Sequence, residues 1–392
     1  MNKKFHTEAV HAGEQSHSEG ALITPIYQTV AFAFKTVAEA KRAIESSLEK
    51  EAPGYAYTRF SNPTHLALEQ KIAALENGEA ALAAATGMAA TATAVFALMQ
   101  KGDHLISARG IYTSTHSLFS KLPSWGIEVS FADQTKTEEI AAQIKPNTRL
   151  IFLETPSNPL LDLADIAEIA RLARAKGVKV MIDNTFATPY YQRPLELGAD
   201  IVMHSATKYL SGHLDTMGGI IVGSKELIQS CAETIALMGG IMNPFNAWLI
   251  VRGSKTLPIR MEKHSRNAQA LAQWLETQAK VERVFYPGLT SHPQHKLAAK
   301  QMSGFSGVVS FTVAGGEEGA RRLLENIRLC TLSVSLGGPE TLLEHPATMS
   351  HLKMSPQERE VLGISAGLIR MSAGLEDEAD LIEDLSSALS KV

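Results

Sequence analysis

The apolar positions of this chain change period repeatedly along its length. Short apolar runs at 104–108, 127–131, 149–153, 178–182 and 200–204 read as buried strands. Helically spaced stretches lie between them, at 114–122, 136–144 and 163–176, and Gly218-Gly219-Ile220-Ile221-Val222 adds a later strand. Such alternation predicts an α/β fold, a mostly parallel sheet covered by helices. Upstream, Asn62-Pro63 signals a helix start, followed by apolar Leu66, Leu68, Ile72 and Leu75 and a stop at Asn77-Gly78. Residues 80–99 carry no charge and approach the length of a membrane span. Ala, Thr and Gly dominate there, too weakly apolar to drive insertion, so the stretch reads as soluble core, with Thr86-Gly87-Met88 opening an Ala-rich helix.

The flanking regions differ in texture. Residues 1 to about 60 look irregular, punctuated by Pro25, Pro53 and Gly54, and carry the aromatic-polar run Tyr55 to Phe60. A polar arm of this kind suits wrapping another subunit. From 223 to 260 the pattern is helical. Beyond it come a long helix from Met261 to about Gln278, a strand pair near 281–285 and 307–313, and a helix at 317–327. The expected organisation is an arm over 1–60, a large α/β domain over 61–255 and a smaller α+β domain over 256–392.

Two of the core runs end in charge. Val178 to Ile182 is followed by Asp183-Asn184, and Ile201-Val202-Met203 by His204-Ser205-Ala206-Thr207-Lys208. In open α/β sheets the carboxyl ends of strands are where ligands bind. A lysine and a carboxylate placed there suggest pyridoxal phosphate, with the lysine forming a Schiff base and the acid holding the pyridinium nitrogen. Gly87, at a helix start, lets a phosphate approach free backbone N–H groups. Taken alone, Tyr112 reads equally as a packed aromatic, Arg370 as a structural ion pair, and Asn158 before Pro159 as turn chemistry.

Composition removes other classes. Of 392 residues, 45% are hydrophobic and 20% charged, with a net charge of −4 and scattered basic residues, so neither a nucleic-acid footprint nor a membrane segment is expected. The two cysteines, Cys231 and Cys330, lack metal or redox spacing and suggest reduced thiols in a cytoplasmic protein. The start of the chain, Met1 to His6, has no apolar run after it and no signal-peptide character. His292, His295, His345 and His351 form no metal-like set with carboxylates or thiols, so no metal is assigned.

Several longer motifs occur in order: Tyr57-Thr58-Arg59-Phe60-Ser61-Asn62-Pro63-Thr64, Thr86 to Ala90, Glu154-Thr155-Pro156-Ser157-Asn158-Pro159, Asp183-Asn184-Thr185, and Ser205 to His213. With them the chain resembles, over nearly its whole length, the Cys/Met-metabolism branch of the fold-type I pyridoxal-phosphate (PLP) enzymes. The resemblance implies an aspartate-aminotransferase-like large domain with a seven-stranded sheet. It casts Lys208 as the Schiff-base lysine and Asp183 as partner of the ring nitrogen. Ser205, Thr207 and the N–H groups of Gly87 and Met88 hold the phosphate, completed by Tyr57 and Arg59 of a neighbouring subunit. Tyr112 stacks on the ring and acts as acid or base. Arg370, Asn158 and the Ser335-Leu336 backbone take the substrate carboxylate. A site shared in this way implies at least a homodimer, and the family usually forms tetramers.

The implied reaction is α,γ-elimination of a sulfur amino acid (methionine, homocysteine or cystathionine) to 2-oxobutanoate, ammonia and a thiol. The alternative is γ-replacement by an O-acetyl- or O-succinylhomoserine sulfhydrylase or a cystathionine γ-synthase. Ser335 to Glu340 resembles the γ-lyases and cystathionine synthases, and His345 to His351 resembles methionine γ-lyase. Asn243 to Trp248 is closer to the sulfhydrylases, and Ser114 stands where methionine γ-lyases typically carry a reactive Cys. A catalytically silent regulator that keeps the fold is a third possibility, disfavoured by the retention of Lys208, Tyr112 and Arg370.

Overall fold

Helix starts and stops in this chain are set by local capping chemistry. In the computed structural model, which describes residues 3–14, 20–48 and 54–392, helix α3 (Pro63–Glu76) begins where Asn62 accepts a hydrogen bond from the Thr64 amide and Pro63 takes the first turn. It ends at Asn77 in the left-handed region. Before it lie α1 (Phe5–His11) and α2 (Val37–Leu48), so the first 60 residues are not irregular throughout. Val37, Ala40 and Ile44 carry the helical spacing of α2, which the surrounding prolines obscure; Pro53 itself lies outside the described residues.

The large sheet has seven strands: β1 (Ala80–Ala84), β2 (His104–Ala108), β3 (Glu128–Ala132), β4 (Thr148–Glu154), β5 (Lys179–Asp183), β6 (Ile201–Ser205) and β7 (Gly219–Gly223). Their order is β1-β7-β6-β5-β4-β2-β3, and only β7 runs against the others. Strand β1 fills the part of 80–99 that precedes the Ala-rich helix, where the sequence pattern assigned no element. Five residues of Ala and Leu show no alternation, yet they pair with β7 from Ala80↔Gly223 to Ala84↔Gly219. The Ala-rich helix α4 (Gly87–Leu98) follows, capped by the Thr86 side chain on the Ala89 amide. Its small residues let it lie close on the sheet. A Cβ on Gly219 would fall 2.1 Å from the Thr86 carbonyl oxygen.

A second sheet of five strands follows in order β10-β11-β12-β9-β8: β8 (Val281–Phe285), β9 (Val308–Val313), β10 (Thr331–Leu332), β11 (Leu342–Glu344) and β12 (Leu368–Ser372). One core cluster runs from α3 and one face of the large sheet, through Val202, Ile220 and Val222, into this second sheet at Val309, Phe311 and Met371. A second fills the α4 face with Ile201, Met203 and Ile221, and two small clusters lie beside them around Leu160 and Leu163. Cys231 and Cys330 are free thiols buried in these cores, and burial pushes both up, Cys231 to about 12. Among the described residues no helix is long and apolar enough to cross a membrane, and no group of three His, Cys, Asp or Glu side chains is arranged to hold a metal ion.

Candidate active site

The carboxyl ends of β4, β5 and β6 open with the N-terminus of α4 onto a cavity of about 930 Å³. Lys208 stands in it three residues past β6. Its Nζ donates to Ser335 Oγ at 2.6 Å. Burial and the Arg370 guanidinium push its pKa down to about 8. Ser335 sits at φ +84°, a left-handed conformation costly for a side chain with a Cβ, and there it serves two cations. Its hydroxyl accepts from Lys208 and its carbonyl from Arg370 Nη2 at 2.7 Å.

Two buried carboxylates end neighbouring strands in register, Glu154 on β4 and Asp183 on β5. Burial raises both, and the charge of Asp183 pushes Glu154 well above the usual carboxylate range. Thr185 opposes this at Asp183, donating its amide at 3.0 Å and its hydroxyl at 2.5 Å. The proton of the pair therefore belongs to Glu154, and Asp183 is the better anion. Glu154 in turn accepts the amides of Tyr112 at 2.8 Å and Asn158 at 2.9 Å, fixing the loops that carry both.

Arg370, only 4% exposed, donates Nη1 to Asn158 Oδ1 at 3.0 Å and lies 3.1 Å from Glu344, its cross-strand partner on β11. Its Nε is buried with no partner. With Nη1 spent on Asn158 and Glu344 and one Nη2 hydrogen on Ser335, the Nε hydrogen and the second Nη2 hydrogen remain for a ligand. His351, also buried at the cavity wall, is pushed down to about 4 by burial and by Arg370 and Arg359, so it is neutral at pH 7.

An anion fits at the start of α4. The first-turn N–H groups of Gly87 and Met88 have no partners inside a helix and face the cavity beside Ser205. A Cβ on Gly87 would meet Ser205 Cβ at 2.9 Å, so only glycine leaves this approach open. Thr207 also lines the cavity, although its hydroxyl already bonds the Gly218 backbone, accepting from N at 3.0 Å. A phosphate at α4, an amine at 208 and an acid at 183 together match the donor set that PLP requires.

Lys208, Asp183, Ser205, Thr207, Gly87, Met88, Tyr112, Asn158, Ser335 and Arg370 all line this one cavity; Tyr57 and Arg59 do not. Arg59 lies over the Tyr57 and Phe60 rings and donates to the Ala236 carbonyl at 2.6 Å. Sequence does not single out Glu344, and it shows Thr185 and Glu154 only inside motifs, without a role. The rule that flags Asp183, a carboxylate closing a core strand, applies equally to Glu154.

A family model described as Cys/Met metabolism PLP-dependent enzyme matches residues 6–390. An L-methionine gamma-lyase of Porphyromonas gingivalis is 45% identical over 396 residues, spanning 100% of this chain and 98% of that protein. An O-succinylhomoserine sulfhydrylase of Pseudomonas aeruginosa is 44% identical, over 98% of this chain and 95% of that protein. Among solved structures, metB from Corynebacterium glutamicum superposes with a TM-score of 0.92 at 40% identity, covering 99% of this chain and 98% of that one.

Proposed function

The chain belongs to the Cys/Met-metabolism PLP-dependent enzymes, with the fold-type I architecture, and from that membership we propose that it eliminates the γ-substituent of L-methionine, L-homocysteine or L-cystathionine to give 2-oxobutanoate, ammonia and a thiol. The observation that carries the reading is the convergence of a low-pKa amine, a buried guanidinium with a spare donor and an exposed tyrosine on one cavity.

When bound, PLP supplies an electron-withdrawing ring that stabilises negative charge at the substrate Cα. Asp183 would hold its ring nitrogen, Lys208 its aldehyde carbon, and Ser205, Thr207 and the Gly87 and Met88 amides its phosphate. Arg370 takes the substrate carboxylate with Asn158 oriented beside it, which places Cα near Lys208. The Lys208 amine, freed when the substrate's own takes its place, would accept the Cα proton, hand it back to the carbon it had held and, neutral again, accept a Cβ proton. The Tyr112 hydroxyl delivers a proton to the departing sulfur.

Tyr57 and Arg59 complete a neighbour's phosphate site in this reading, through a planar guanidinium fork. Residues 1–60 then act as an arm between subunits, ahead of a PLP-binding unit (61–255) and a C-terminal unit (256–392). A homodimer is the smallest working unit and a tetramer the expected one, in the cytoplasm.

A second reading, γ-replacement on an O-acylhomoserine, is favoured by Ser114, a hydroxyl on the cavity wall where methionine γ-lyases typically place a thiol. Purified enzyme incubated with each sulfur amino acid and each O-acylhomoserine, with and without sulfide, separates the two. Elimination releases 2-oxobutanoate from methionine, homocysteine or cystathionine. Release only from an O-acylhomoserine, diverted by sulfide to homocysteine, overturns it.

A further inference from the structure

Behind the cavity, on the α3 face of the large sheet, lies a buried hydrogen-bonded pair that the chemistry above does not use. Glu76 closes α3 and His204 stands in β6, both at most 1% exposed, with His204 Nε2 2.6 Å from Glu76 Oε1. The same oxygen accepts from Asn184 Nδ2 at 2.8 Å. Gln192 Nε2 braces Asn184 Oδ1 at 3.0 Å and the Thr155 carbonyl at 2.8 Å. His204 Nδ1 and Glu76 Oε2 have no partner. Among the described residues no other cation lies within ion-pair distance of Glu76.

Packing alone does not call for this pair. Val202, Ile220 and Val222 cover the same face with apolar side chains, and apolar residues of equal volume are commonly as stable as a buried ion pair. Its position is specific. Asp183 pairs with Met203 across the ladder, His204 follows Met203, and Asn184 follows Asp183. The residue after Asp183 and the residue after its cross-strand partner are thus tied to one oxygen of Glu76.

We propose that Glu76 and His204 are positioning residues for Asp183: one oxygen of Glu76 ties His204 and Asn184 together behind β5 and β6, and that tie holds the Asp183 carboxylate towards a pyridinium nitrogen. The proposal rests on the reading of Asp183 as the ring-nitrogen partner.

The test loads the enzyme with PLP carrying ¹⁵N in the ring and reads that nitrogen by NMR. In the wild-type holoenzyme it resonates as a pyridinium. In His204→Gln and in Glu76→Gln it moves towards unprotonated pyridine, and cofactor affinity drops about tenfold, the scale of one lost buried hydrogen bond. Val202→Ala, a cavity on the same face, lowers thermal stability and leaves the nitrogen unchanged. A pyridinium signal retained in both His204→Gln and Glu76→Gln, while Asp183→Asn abolishes it, overturns the proposal. A signal unchanged in Asp183→Asn overturns instead the reading of Asp183 on which it rests.

Discussion

Replacing Arg370 by alanine separates two roles that one side chain holds. The guanidinium neutralises Glu344, bonds Asn158 Oδ1 and the Ser335 carbonyl, and keeps Nε free for a substrate carboxylate. Breaking a buried pair by removing one partner costs about 3–5 kcal/mol, because the remaining charge is uncompensated. Here that charge is Glu344, 1% exposed, with Ser350 Oγ donating to it at 2.7 Å as its other partner. Arg370→Ala is therefore expected to lower the thermal midpoint of the holoenzyme by on the order of 5 °C, given that each kcal/mol moves a large chain by roughly 1–2 °C. Adding Glu344→Gln to Arg370→Ala removes the orphaned charge and recovers most of that loss. Substrate recognition does not return, since no cation faces the carboxylate, and KM stays raised by about 100-fold or more, as expected for a lost charged contact. Differential scanning fluorimetry with steady-state kinetics reads both. The reasoning fails if the double variant is as unstable as Arg370→Ala, or if it regains the wild-type KM.

Further outcomes follow from the other groups. The Lys208 amine, with its pKa lowered from 10.5 to about 8, is half neutral near pH 8, so apoenzyme takes up PLP faster as pH rises through about 8 and then levels off. The rate of appearance of visible absorption measures this, and a midpoint near 10.5 contradicts it. Gly87→Ala places a Cβ 2.9 Å from Ser205 and blocks the anion approach; PLP affinity falls at least tenfold in a fluorescence titration while circular dichroism stays native. Tyr112→Phe leaves packing intact at a position 44% exposed and lowers kcat by about 100-fold or more, the usual contribution of a general acid, with the KM for substrate little changed.

The chain's pattern revealed six of the seven strands of the large sheet and both ends of α3, because these rest on local chemistry: short apolar runs, an Asn cap, a left-handed Asn stop. It hid β1, whose Ala-Leu residues have no period, and β10 and β11, which at two and three residues are too short to show one. The site divides the same way. Lys208 and Asp183 stand at strand ends that sequence exposes, and the motifs around them mark the α4 turn. Glu344 is joined to Arg370 only by pairing of β11 with β12, and Glu76 to His204 across 128 positions. Pairings made by topology carry no local signature.

The burial of Cys231 and Cys330 has a practical consequence. With both sulfurs enclosed and their acidities suppressed, the native protein offers alkylating probes nothing to attack at neutral pH. A single cysteine placed at Val37, which is 87% exposed on α2, would be the sole reactive handle, without first engineering away any native thiol. Fluorophores or spin labels attached there would follow the arm alone, against a dark background.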